Sequence, residues 1–282
     1  MRQPSGLYVP LSKPKFKCEY ALDERLDKDL VNLNQRLNRH IQPMLGDQAK
    51  ITMQPGLYLG RQLLPDPVQS WVIYYASLIA GAADAALTLS LHNLGREARI
   101  LERQVFEYVM KAWYFQRHRR EAKWELEAMP FRQLRFYNQT GMDKRRKLYR
   151  EVRALVTKLK KTRPALARYA KKTEREEGPS LMTAMPGRKK SSRKTESYAR
   201  SYRWPSQTLH GTVLGMDSVF KEAGIQFDSR LDDGNLPLWG ISQHVLTFLT
   251  IVDSVFALHQ SADIAQSKDE LVGIGKRLGY IL

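Results

Sequence analysis

Three residues in one short run have the side chains that phosphodiester chemistry uses: Arg203, Ser206 and His210, within Arg203-Trp204-Pro205-Ser206-Gln207-Thr208-Leu209-His210-Gly211. An imidazole moves protons as acid or base, and a guanidinium holds a phosphate and stabilises the charge that builds on it. Ser206 would position that phosphate. Pro205 and Ser206 also read as a helix start, with the Ser206 hydroxyl able to cap orphan backbone donors and His210 one turn further on the same side. In an Arg-rich chain this spacing also arises by chance. On spacing alone, His210 reads first as a packed or capping histidine.

A second constellation is Arg103 and Glu107, four apart and so on one face of a helix. Their apolar neighbours Leu101, Val105, Phe106, Val109 and Met110 put them at the edge of a core. The plain reading is an intrahelical ion pair; the sharper one is a pair that orients a polar site on a neighbouring helix. His40, His92, His118, His244 and His259 are scattered, and no two of them stand at the helical three- or four-residue interval of a metal-ligand set. No metal and no cofactor is therefore expected. There is neither a Gly-rich phosphate loop nor a G-x-S-x-G turn, which argues against nucleotide hydrolysis and against an esterase.

A third feature is charge. Between Met142 and Arg200 stand 20 Lys or Arg against 6 acids, which is +14 of a formal net +17. Lys144, Arg145 and Arg146 open the stretch, and Lys189, Lys190, Arg193 and Lys194 continue it. Its bland reading is a solvated helix face with a tail. One-signed charge of this density, interleaved with Tyr149, Tyr169, Tyr198, Tyr202 and Trp204, fits a polyanion, with nucleic acid ahead of an anionic membrane.

The run Leu94-Gly95-Arg96-Glu97-Ala98-Arg99-Ile100-Leu101-Glu102-Arg103-Gln104-Val105-Phe106-Glu107, with Ser206 and His210 further on, resembles a bacterial family, domain of unknown function 5677. The resemblance spans roughly Trp71 to His259 and implies an all-α domain with no established activity. A looser similarity is to the HEPN superfamily of helical bundles. That similarity implies a metal-independent ribonuclease with an Arg-x(4–6)-His motif, often assembled across a homodimer interface. Arg203 and His210 fit the spacing, but Trp204 and Pro205 follow the arginine where those nucleases usually place a small polar residue.

These residues need elements to position them, and the pattern is helical throughout. Residues 1–18 read as an extended arm around Pro10 and Pro14, 19–141 as the first half of a helical domain, 142–202 as a basic helix with a disordered loop, and 203–282 as the second half. Helices are expected over Glu19–Leu45, through the apolar Trp71–Leu91, over Arg96–Arg119, and over Met142–Glu177 with a bend at Pro164. Met129-Pro130 closes the region before the basic helix. Further helices cover Ser206–Ala223, Leu238–His259 and Ile264–Leu278, whereas Gly178 to Ser201 loses all periodicity. Trp71–Leu91 is about as long as a membrane span, but Asp84 near its middle would cost roughly 3 kcal/mol on insertion. A buried core helix is the expectation. A single cysteine, Cys18, and a start without the apolar run of a secretory signal fit an intracellular, cytoplasmic setting.

The expected protein is thus an all-α helical bundle with a basic helix-plus-loop insertion. It would bind RNA and cut it without metal, as toxins and phage-defence proteins do. The competing reading is a non-catalytic nucleic-acid-binding or assembly protein on the same scaffold; a membrane is not the expected partner.

Overall fold

A computed structural model of the chain describes residues 24–52, 66–141, 143–173, 220–221, 224–225 and 234–281. Eight helices lie among them: α1 (Lys28–Thr52), α2 (Pro67–Leu91), α3 (Gly95–Arg117), α4 (Arg119–Gln139), α5 (Lys147–Thr162), α6 (Pro164–Lys172), α7 (Asn235–Phe256) and α8 (Ser261–Arg277). The fold class is all-α, as the periodicity implies.

Local chemistry sets several of the boundaries. Asp66 caps α2 by accepting from Val68 N at 2.8 Å, and Pro67 takes the first helical position, where its missing N–H costs nothing. α1 begins at Lys28 because Asp27 accepts from Leu30 N at 3.0 Å, later than the start expected from the leucine stripe. α8 ends in a Schellman motif: Gly279 adopts φ +72° while Gly279 N and Tyr280 N donate to Lys276 O and Gly275 O.

The main core joins α1, α2, α3, α7 and α8 with the first half of α4. Leu30, Leu33 and Leu37 of α1, Val72 and Ile79 of α2, Phe115 of α3, and Leu238, Ile241 and Phe248 of α7 are essentially inaccessible there. α2 is long and apolar enough to cross a membrane by length and composition, and it packs on α1, α3, α4 and α7. Asp84, which would oppose insertion, lies on its exposed face and accepts from Asn38 Nδ2.

α4 leads out of this core. Its Ala122 and Leu126 belong to the bundle, whereas Tyr137 packs with Tyr149, Val152 and Val156 of α5, and Ala128 with Leu166 and Ala170 of α6. Helices α4 to α6 thus form a three-helix arm with two small apolar clusters of its own.

Three expected boundaries are corrected. Met129-Pro130 does not end a helix: Pro130 is buried inside α4, which runs on to Gln139. An interior proline costs about 3 kcal/mol or more, and here apolar packing on both sides of it outweighs that. The expected helix Met142–Glu177 is two helices, because Pro164 cannot donate to the turn before it and instead starts α6. The expected helix Ser206–Ala223 does not reach its end, since β1 (Phe220–Lys221) pairs antiparallel with β2 (Gly224–Ile225). The rest of that segment, the arm 1–18 and the loop 178–201 lie outside the described residues.

Candidate functional site

The cations of the arm are displayed outward by the pattern that buries its apolar stripe. On α5, Tyr149, Val152 and Val156 point into the arm, and the cations between them, Arg150 and Arg153, are exposed. Arg150, Arg153, Lys158 and Lys161 share one outer face of that helix and have no ion-pair partner among the described residues. Lys144, Arg145 and Arg146 are exposed in the turn that enters α5, where Asp143 Oδ1 accepts from Arg145 N at 2.9 Å. Behind this face a groove of about 940 Å³ runs between α4, α5 and α6, edged by Arg132, Arg135, Lys160, Arg168 and Lys171.

A buried carboxylate fixes the arm. Glu125 of α4 is almost fully enclosed, takes an ion pair from Arg132, and accepts from Tyr169 Oη of α6 at 2.6 Å. Burial, with Glu125 beside it, pushes the Tyr169 phenol above its ordinary range, so it stays a donor. Nearer the surface, Arg163 pairs with Glu127 at 2.7 Å. These contacts hold α6 against α4 and set the width of the groove.

A second polar cluster lies inside the bundle. Glu102 of α3 faces His244 of α7, with Oε1 4.0 Å from Nε2. Phe106 covers the imidazole at 5.1 Å between ring centroids. Burial pushes the Glu102 carboxyl up to about 8, with Arg99 pulling the other way, and burial pushes His244 down to about 4. At neutral pH a protonated acid therefore faces a neutral imidazole. Space for it comes from Gly240, where a Cβ would stand 2.1 Å from Glu102 Oε1.

Arg203, Ser206, His210, Lys189, Lys190, Arg193 and Lys194 lie outside the described residues. Arg103 and Glu107 sit one turn apart on α3, both half-buried, and Glu107 pairs with Lys111 at 2.7 Å. The Glu102–His244 pairing escapes any search along one helix, because it forms between two. A carboxylate and a histidine at the α3–α7 contact were visible only as members of apolar helical faces. Among the described residues no three of His, Cys, Asp or Glu converge as a metal-ligand set.

No curated protein and no solved structure matches the chain. The sequence model of a family of unknown function (DUF5677) matches residues 69–227, a stretch that takes in α2 to α6 and the Arg203–His210 run. The chain belongs to that family.

Proposed function

We propose that the protein binds RNA through the α4–α6 arm, in a cytoplasmic setting, and that the Arg203–His210 run cuts the bound strand without metal. The observation that supports binding is the disposition of charge. An arm with its own small apolar clusters carries exposed cations on the outer face of α5 and along a groove beside α6. Lys144 to Lys147 also crowd the N-terminus of α5, where the helix dipole is already positive. That arrangement is unfavourable for an isolated protein, and a bound polyanion relieves it.

In the proposed cleavage His210 moves the proton, Arg203 stabilises the charge on phosphorus, and Ser206 positions the phosphate, while Arg103 and Glu107 support the site from α3. Lys189, Lys190, Arg193 and Lys194 would extend the phosphate track. A homodimer, as in HEPN-like nucleases, is part of this reading. Labelled total RNA incubated with protein in excess EDTA tests it, wild type against His210→Ala. The reading expects cleavage by the wild type alone. Equal cleavage by both removes His210 from the site. Binding without cleavage by either leaves a non-catalytic RNA-binding protein.

A further inference from the structure

Among the described residues, four of the six exposed large hydrophobic side chains border a single cavity: Tyr74, Met129, Phe136 and Leu148. The cavity, of about 750 Å³, lies between α2, α3, α4 and the first turn of α5. Its inner wall is made of stacked rings. Trp71 lies 4.9 Å from Phe115 at an interplanar angle of 19°, and 5.7 Å from Tyr75 at 22°. At its rim Phe136 is 59% exposed and Tyr74 is 49% exposed. Lys111, Arg132 and Gln133 supply polar side chains along the same walls.

Position along α4 gives the cavity its meaning. Arg132 and Phe136 border both this aromatic cavity and the basic groove between α4, α5 and α6. A surface for stacking thus opens directly off a track of cations. A duplex cannot use such a junction, since its bases are stacked on one another and its outside is phosphate. A single strand uses both halves, with phosphates along the groove and an unstacked base against the rings. An acidic peptide would use the cations and leave the aromatic faces in water. The volume lies within the usual range for a pocket that encloses a small planar group.

Resting on the RNA-binding reading above, we propose that the aromatic cavity receives an unstacked base of a single-stranded RNA whose backbone lies in the α4–α6 groove, with Phe136 and Tyr74 as the stacking residues. Base stacking on such a ring is sequence-tolerant, because every base offers a π face. The pocket therefore selects single strands over duplexes and does not dictate sequence.

The test is fluorescence anisotropy with the full chain and three labelled probes: a short oligouridylate, an abasic strand of equal length, and an RNA duplex. The wild type should bind the oligouridylate about tenfold more tightly than the abasic strand. Phe136→Ala and Tyr74→Ala should erase that preference and leave abasic binding unchanged, whereas Phe136→Trp should retain it. Both positions are exposed, so these variants keep the fold, and circular dichroism checks that they do. Equal binding of oligouridylate and abasic strand by the wild type overturns the base pocket while RNA binding stands. An equal loss on both probes in Phe136→Ala also overturns it. Failure of the wild type to bind any of the three probes overturns the RNA-binding reading itself.

Discussion

Glu102 and His244 couple the stability of the bundle to pH in opposite directions. The carboxyl of Glu102 is raised from 4.5 to about 8, so in the folded protein it holds a proton that the unfolded chain releases. Its contribution is fully present below pH 4.5 and is lost as pH rises towards 8. His244 is lowered from 6.5 to about 4, so its contribution is present above 6.5 and lost as pH falls. Between 4.5 and 6.5 the two slopes oppose each other. Above 6.5 only Glu102 remains, and stability should fall by on the order of 1 kcal/mol per pH unit up to pH 8. Thermal unfolding from pH 6.5 to 8 should show that fall in the wild type and not in Glu102→Gln, which mimics the protonated acid; a parallel fall in both would place the titrating group elsewhere. Two glycines give a sharper contrast. Gly240→Ala must displace the buried Glu102 and should lose about 1–3 kcal/mol in urea denaturation. At Gly81, on the exposed face of α2, a Cβ meets nothing within 4 Å, and Gly81→Ala should gain about 0.5–1 kcal/mol.

α4 belongs to the bundle at one end and carries the arm at the other. Glu125 is the link between the two parts. Glu125→Ala leaves Arg132 without its carboxylate and Tyr169 without its acceptor, and should cost about 3 kcal/mol. The loss should be local: amide exchange should quicken in α5 and α6 and stay slow in α2 and α7. Uniform acceleration would mean that the arm and the bundle unfold as one unit. The sequence showed the arm's charge plainly, because one-signed runs survive any error in helix boundaries. It also showed the leucine stripe of α1 and the apolar face of α3. The course of α4 was hidden, because Pro130 is a strong local stop signal that packing on both sides overrides. The start of α1 was hidden for a different reason: several acids precede it, and only the hydrogen bond to Leu30 N identifies Asp27 as the cap.

At the scale of the whole molecule, a nearly neutral bundle supports a strongly charged arm, and the proposed site lies where they meet. The aromatic cavity was not legible in the sequence because its rings come from α2, α3 and α4, and each ring reads on its own as core. Phe136 and Tyr74 are distinguished only by exposure, which no periodicity records. The termini of the bundle are tied independently of the arm, with Arg277 of α8 pairing with Asp27 and Asp29 at 2.8 Å. Charge changes on α5 should therefore leave the bundle intact. The most direct test of the central claim is the salt dependence of RNA binding, measured for the wild type and for Arg150→Glu/Arg153→Glu/Lys158→Glu. If roughly six phosphates are engaged, log K should fall against log salt with a slope of about −4 to −5 in the wild type. The triple variant, with an unchanged melting temperature, should show a markedly shallower slope and weaker binding at every salt concentration. A shallow slope in the wild type would contradict RNA binding by the arm, and equal slopes in the two proteins would take the outer face of α5 out of the contact.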